Sequence, residues 1–321
     1  MRALNRQAGT FGAMSEWLSP DGLEQLRRYA GLIDDWEGFL AASVRPLPKV
    51  VWPNTLKISA GACLQRVRNR CEQAQALDWA PDAWRIPPAA SAGKWPEFHL
   101  GLLHVQEEIT LFPALALGAE PGEAVLDMCA APGNKTARIV ADMRDRGLLV
   151  ANEANRQRMA ALQNVMYRLG VTCAMVTRGD GNGLSGRARY DRVLVDVPCT
   201  GEGTSRKPGG WRKPRGPEEW LRLCGLQRGL LRRGVELARP GGVIVYCTCT
   251  YAPEENEWVL DGIDPGRAEI EPVRLPGGLR AAPGVRRWEG REFRADVGNG
   301  LRFWPHLNDT GGFFVARLRR L

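Results

Sequence analysis

Two short stretches about fifty residues apart carry the residue types best suited to chemistry: Asp196-Val197-Pro198-Cys199-Thr200-Gly201 and Tyr246-Cys247-Thr248-Cys249-Thr250-Tyr251. Each places a cysteine at the end of an apolar run that reads as a buried strand. A thiolate is strongly nucleophilic toward an electron-poor ring carbon, even when only a small fraction is ionised. Two thiols at neighbouring strand ends suit a reaction in which one sulfur makes a covalent bond and the other helps to break it. A single strand cysteine is more simply read as core packing. The pair, flanked by Gly, Pro and Asp, shifts the reading toward catalysis.

A third stretch lies upstream, Asp127-Met128-Cys129-Ala130-Ala131-Pro132-Gly133-Asn134-Lys135-Thr136. It turns a strand into a helix through small residues, so the backbone can approach a ligand and the free amides of the helix start can face it. An ordinary βα turn has the same ingredients, and the following strand ends add to the case. Glu153 closes the next strand, where an acid can accept hydrogen bonds from both ribose hydroxyls; a helix-start acid is the alternative. Asp180 closes the third strand and can accept from an adenine amino group; a turn Asp beside Gly is the alternative. The loop is neither GxGxxG nor GxxxxGK[ST], so S-adenosylmethionine is favoured over NAD and ATP. With a sulfonium donor, the thiols gain a task. A thiolate added beside carbon 5 of cytosine makes that carbon nucleophilic enough to take a methyl group. The residue types required are a nucleophile, an acid on the N3 edge and a group for release, and Cys249, Asp196 and Cys199 supply them.

These motifs need rigid elements to hold them. From Gln106 onward strands alternate with helices. Strands are predicted at Ala124–Cys129, Leu148–Glu153, Ala174–Gly179, Arg192–Val197, Val243–Cys249 and Gly312–Leu318. Helices are predicted at Asn134–Arg146, Asn155–Gly170, Pro217–Leu237 and Pro253–Ile263. The alternation predicts an α/β fold, a doubly wound and mostly parallel sheet, which binds ligands beyond the carboxyl ends of its strands. All three motifs fall at such ends. Residues 1–105 read as a smaller α+β unit and 106–321 as the larger domain. In the small unit, helical spacing runs from Leu23 to Leu40, and Ala60 to Ala76 reads as an Arg-bearing helix. Val50–Leu56 reads as a strand that Pro53 would confine to an edge, and Asp78–Gly93 reads as loop. Residues 274–310 read as surface loops leading to a final hairpin.

The bulk composition is compatible with this picture. The chain has 321 residues, 44% of them hydrophobic, and a net charge of +8. Of its 44 basic residues only six are lysine; either codon composition or phosphate recognition accounts for the arginine excess. The positive balance favours a polyanionic partner. Eight cysteines without a CxxC pair and three histidines argue against a zinc site. The first residues lack a long apolar stretch and no run of eighteen apolar residues occurs, so neither a secretory signal nor a membrane span is expected. A monomer in a reducing cytoplasm, with free thiols, is the expectation.

At these residues the chain resembles the RNA 5-methylcytosine methyltransferase family, the Sun-domain group. DMCAAPGNKT resembles that family's cofactor motif, DVPCTGEGTSRK its fourth motif and VYCTCTYAPEENE its sixth. The resemblance covers most of the chain and implies a class I, Rossmann-like methyltransferase fold. It also implies S-adenosylmethionine held by the loop Cys129, Ala130, Ala131, Pro132, Gly133, Asn134 and Lys135, together with Glu153, Arg158, Asp180 and Asp196. Cys249 would be the nucleophile, Cys199 the release thiol, and Asp196 and Lys135 would face the target base. The substrate would be structured RNA, transfer or ribosomal, with the N-terminal unit helping to grip it. Two positions depart from the family pattern. Asn134 stands where Gly or Ser is usual, and Cys247 lies two residues before Cys249 on the same strand face, where it could compete as nucleophile. Arg206, Lys207, Arg212, Lys213 and Arg215, interleaved with Trp211 and Trp220, form a basic segment expected to line the RNA entrance; a solvated basic loop is the alternative. A catalytically silent RNA-binding assembly factor and a DNA cytosine methyltransferase are the competing functions. The intact thiol pair argues against the first, and the Thr248-Cys249 thiol against the second.

Overall fold

The computed structural model describes residues 20–186, 188–207 and 216–321. Its larger sheet has the strand order β11-β14-β15-β9-β8-β5-β6-β7, with β10 paired to β15. The parallel part is β7 (Ala174–Thr177), β6 (Leu148–Asn152), β5 (Ala124–Asp127), β8 (Tyr190–Asp196) and β9 (Ala238–Thr248). The antiparallel part is β15 (Phe313–Arg320), β14 (Leu301–Phe303), β11 (Ala282–Pro283) and β10 (Ala268–Glu271). The chain starts in the middle at β5, moves outward through β6 and β7, then crosses back to β8 and β9. The switch point therefore lies between β5 and β8, where a doubly wound sheet opens its ligand crevice.

Alternation along the strands fills two separate cores. Leu194, Val243, Val245 and Cys247 face one side, with the helices Asn134–Asp142 and Arg156–Leu169. Val193, Val195, Ile244 and Tyr246 face the other, with the helix Pro217–Leu237. Local chemistry sets the helix ends. The Asn155 side chain accepts from the amides of Gln157 and Arg158, and Gly170 ends that helix at φ 73°. Pro217 opens the long helix with Glu218 and Glu219 in its first turn.

The small antiparallel sheet has the order β2-β3-β1-β4: β2 (Gln75–Leu77), β3 (Ala80–Ile86), β1 (Lys49–Pro53) and β4 (Leu103–Gln106). Two expectations fail here. The strand containing Pro53 is central, between β3 and β4; the proline is tolerated because it is the last residue of the strand. Residues 80–86, expected as loop, form β3, in which Ala83, Trp84 and Ile86 are buried. The helical spacing from Leu23 to Leu40 is split into Pro20–Arg27 and Trp36–Ser43, because Asp35 caps the second helix by accepting from Gly38 N. Phe39 of the second helix and Tyr29, two residues past the first, pack on Tyr251, and Phe39 also meets Trp304.

Candidate active site

β8 and β9 are parallel neighbours in a register that sets Asp196 beside Cys247. Each chain then turns out of the sheet, and two to three residues on the thiols meet: Cys199 Sγ lies 3.4 Å from Cys249 Sγ. Glycines permit the close packing behind them. Gly203 donates to the carbonyl of Cys249 at 2.9 Å and accepts from Gly312 N at 2.8 Å. A Cβ on Gly203 would fall 2.1 Å from the Gly312 carbonyl oxygen. The two sulfurs are not equivalent. A hydrogen bond from the Cys199 S–H lowers the pKa of Cys249; burial and the Asp196 carboxylate oppose the effect, and the cations Lys135 and Lys207 reinforce it. Cys199 is pushed well up, first by the proton it shares with Cys249 and then by burial. Of the two, Cys249 is the sulfur whose thiolate the surroundings favour, and Cys199 the one that holds its proton.

Lys135, in the first turn of the helix after the loop, donates to Asp196 Oδ2 at 2.7 Å. Burial alone would lower its pKa, but Asp196 and the nearby thiols raise it, so the ammonium stays charged. Its Nζ also lies 5.1 Å from the centre of the Phe313 ring. The other Asp196 oxygen accepts from Cys247 Sγ at 3.4 Å. Cys247 is fully buried with its pKa pushed well up by that burial. It sits against Asp196 and not among the residues that line the cavity.

That cavity, about 560 Å³, is lined by Cys129, Ala130, Ala131, Pro132, Asn134, Lys135, Arg158, Asp196, Cys199, Lys207, Cys249 and Phe313, among others. Ten of the nineteen residues that line it are cofactor or catalytic positions expected from sequence. The loop is tied to the sheet by Asn152, whose side chain donates to the carbonyls of Met128 (3.0 Å) and Gly179 (2.9 Å). Ala130 N donates back to Asn152 O at 2.8 Å. Arg158 donates to Ala131 O at 2.5 Å and lies 3.6 Å from Glu153 Oε2. Glu153 is 3% exposed, and that oxygen has no hydrogen-bond partner. A buried carboxylate oxygen in this state is one that a ligand hydroxyl would satisfy. Asp180, exposed three residues past the end of β7, accepts from Asn182 N at 3.0 Å.

Other expected residues have different places. Gly133, at φ +107°, supplies the turn, and its Cα faces Leu162 and Val165, away from the cavity. Arg206, expected on the RNA surface, is 1% exposed. It donates to the carbonyls of Arg45, Pro46 and Thr310 and pairs with Asp309 at 2.6 Å, so it cements three segments. Lys207 is exposed, 3.6 Å from Glu107. Trp211, Arg212, Lys213 and Arg215 lie outside the described residues. Among the described residues no group of three or more His, Cys, Asp or Glu side chains could hold a metal ion, and no helix is long and apolar enough to cross a membrane.

The sequence reading gave no role to Thr200, Thr250 or Glu255. Thr200 Oγ1 bonds Thr250 Oγ1 at 2.7 Å and Glu255 Oε1 at 2.5 Å. The acids following Cys249 in Ala252-Pro253-Glu254-Glu255-Asn256-Glu257 were the available signal. His104 was also missed. Arg168 can only donate to its Nδ1 (2.7 Å), so His104 donates from Nε2 to Asn134 Oδ1 at 3.0 Å. Burial lowers its pKa to about 4 and keeps it neutral. The unusual Asn134 thus links the loop to β4.

Comparison with known proteins agrees with the geometry. The profile of the RsmB/F 16S rRNA methyltransferases matches residues 114–319. The chain is 35% identical over 305 residues to a tRNA (cytosine(49)-C(5))-methyltransferase of Pyrococcus abyssi, covering 92% of this chain and 95% of the relative. It is 33% identical over 306 residues to ribosomal RNA small subunit methyltransferase F of Vibrio vulnificus, covering 93% of this chain and 63% of the relative. It is 31% identical over 290 residues to the human 28S rRNA (cytosine(4447)-C(5))-methyltransferase, covering 88% of this chain but 35% of that protein. A crystal structure of a methyltransferase homologue from Pyrococcus horikoshii superposes with a TM-score of 0.77 at 30% identity, over 95% of this chain and 100% of that one. Profile, relatives and fold point one way, and the chain belongs to the RsmB/F family, the Sun-domain group of RNA cytosine-C5 methyltransferases.

Proposed function

We propose that the chain methylates carbon 5 of a cytosine in transfer or ribosomal RNA, with Cys249 as nucleophile and Cys199 as release thiol. The observation that carries this reading is the 3.4 Å thiol pair. It shares one cavity with the Lys135–Asp196 ion pair and the 129–135 loop.

S-adenosylmethionine would supply an electrophilic methyl group on a sulfonium. Ala130, Ala131 and Pro132 fit the close approach of such a ligand, with Glu153 for the ribose hydroxyls and Asp180 for the adenine edge. On the base side, the Cys249 thiolate adds to carbon 6, and its electron pair becomes that bond. The displaced ring electrons make carbon 5 nucleophilic while Asp196, oriented by Lys135, takes the N3 edge. Carbon 5, activated by Cys249 and held by Asp196, would be the atom that takes the methyl group, the pair of the broken carbon–sulfur bond staying on a sulfur that becomes a neutral thioether. Carbon 5 then gives its proton to the Cys199 sulfur as that thiol's own proton passes to Cys249, the ring double bond re-forms, and the carbon 6–sulfur bond breaks with its electron pair returning to Cys249. Cys199 is placed to protonate the departing sulfur. The target base must leave its stack to reach these thiols, which costs least in single strands and loops.

Residues 1–105, with the four-stranded sheet, would grip RNA, and 106–321 would carry the chemistry. The enzyme would act as a monomer in a reducing cytoplasm, where both thiols stay reduced. The intact, polarised pair disfavours a silent assembly factor.

The test uses labelled S-adenosylmethionine and cellular RNA with wild type, Cys249→Ala and Cys199→Ala. Wild type is expected to label RNA at cytosine. Cys249→Ala should be inactive without an adduct, and Cys199→Ala should accumulate a covalent RNA–protein complex. Adducts in Cys249→Ala and none in Cys199→Ala would move the nucleophile to Cys199.

A further inference from the structure

Arg206 and Lys207 are adjacent in sequence but do different work, and the difference exposes a second cavity. The buried Arg206 guanidinium donates to Arg45 O at 3.0 Å and Pro46 O at 3.1 Å. This pins the connection that leads from the helix Trp36–Ser43 into β1. Pro46, Leu47 and Pro48 of that connection face Pro88 and Val105 across a groove of about 410 Å³. The groove lies where β1 begins and β4 ends. Its walls are largely apolar, and its buried polar neighbour is already committed: Gln106 accepts from Trp52 Nε1 and donates to Thr110 Oγ1. Lys49, whose Nζ donates to Pro88 O and Ala90 O, and Lys207, 3.6 Å from Glu107, are the lysines that line it.

The groove also shares Glu107 and Lys207 with the cavity that holds Cys199 and Cys249. The two therefore adjoin at one carboxylate and one ammonium. An apolar slot lined by two lysines, adjoining a site for one base, matches the next unit of a polyanionic chain whose units are flat, stackable rings. Proline rings and leucine offer such a ring a face and no edge to read.

We propose that this groove receives the nucleotide adjoining the target cytosine, its base against Leu47 and the prolines and its backbone phosphate near Lys207 and Lys49. This rests on the reading of the main cavity as a cytosine site. Holding the neighbour apart from its stack keeps the target base extruded. The site selects for an unstacked neighbour more than for its identity.

The probe is a single-stranded decamer of uridines with one central cytosine, made with 4-thiouridine on one side or the other of it. Irradiation with the full chain is expected to crosslink one of the two neighbours to residues 46–49 or 88. Removing the base at that neighbour should weaken binding to wild type by roughly tenfold, the scale of one stacked base. Leu47→Glu should abolish the crosslink and bind intact and abasic decamers equally. Crosslinks from both neighbours that fall elsewhere would overturn the proposal, as would equal binding of intact and abasic RNA by wild type, a comparison needing no variant. Methyl transfer to cellular RNA, measured separately, distinguishes failure of the groove from failure of the enzymatic reading: labelled cytosine with no groove crosslink rejects only the groove.

Discussion

Thr200 Oγ1 and Thr250 Oγ1 lie 2.7 Å apart, one residue behind each of the two thiols. The bridge is buried and anchored at both ends. Thr200 N donates to the Glu255 carboxyl at 3.1 Å, and Thr200 Oγ1 lies 2.5 Å from Glu255 Oε1, which donates to it when protonated and so leaves the one Thr200 hydroxyl proton for Thr250. Glu202 accepts from Thr250 Oγ1 at 3.1 Å and from Tyr29 Oη at 2.9 Å. Two strand ends already joined by the Gly203 N–H to Cys249 carbonyl bond are thus fixed to each other by side chains as well. The sulfur separation in front inherits that rigidity, as a preorganised site requires.

Thr200→Val keeps the shape and removes the hydroxyl. It leaves Glu255 short of a partner at a cost of about 1–3 kcal/mol in stability. Cys199 is then expected to sit less well over the adduct, so release slows roughly tenfold and the covalent complex accumulates, while Thr200→Ser restores turnover. A purely structural threonine would lower stability without changing the ratio of adduct to product, and finding that ratio unchanged in Thr200→Val would reject the positioning role.

The polarity of the thiol pair predicts a pH profile. Cys249 is lowered by the Cys199 S–H and by Lys135 and Lys207. Its alkylation by iodoacetamide should have its midpoint below that of an ordinary thiol. Removing the donor in Cys199→Ala makes the thiolate less favourable, so the midpoint moves up and alkylation at pH 7 slows. Lys207→Gln should act in the same direction with smaller effect. Peptide-resolved mass spectrometry reads both, and identical profiles in wild type and Cys199→Ala would remove the assigned polarity.

The parts of this site that were legible in sequence are those where the residue type itself limits the chemistry. Cys199 and Cys249 end apolar runs, and apolar runs bounded by Gly and Pro become central strands. The roles of Thr200 and Glu255 were not legible, because they arise only when β8 and β9 lie side by side in one register. Arg206 was misplaced for a related reason: its acceptors lie about 100 and 160 residues away, at Thr310 and at Arg45 and Pro46. A cluster of cations does not reveal which member turns inward. β3 was hidden by Pro81 and by the shortness of its apolar run, and Trp84 with Ile86 supplies its burial.

Glu255 gives a stability prediction with a definite sign. Burial raises its carboxyl from 4.5 to about 7, against the opposing bonds from Thr200 and Gln227. The folded protein therefore holds this proton more tightly than the unfolded chain. The stability it contributes is full below pH 4.5 and is lost as pH rises through about 7. Between pH 5 and 8 the wild type should weaken by up to about 3 kcal/mol from this group. Asp127, also raised to about 7 by burial, adds a loss of the same sign. Glu255→Gln should reduce the slope of stability against pH without abolishing it. Urea denaturation across that range measures it, and an unchanged slope would mean that Glu255 is ionised at no cost.

Arg206 separates a structural cation from an RNA contact. Its guanidinium spans three carbonyls and the Asp309 carboxylate while 1% exposed. Arg206→Ala leaves those acceptors without their shared donor, and a loss of about 3 kcal/mol in unfolding free energy is expected. Arg206→Lys should recover little of it, because one ammonium cannot reproduce a planar fork reaching four acceptors. A cation at a solvent-exposed RNA surface would instead change stability by less than about 0.5 kcal/mol and reduce the salt dependence of binding. Denaturation of the two variants decides between these, since only a buried clamp makes lysine nearly as damaging as alanine.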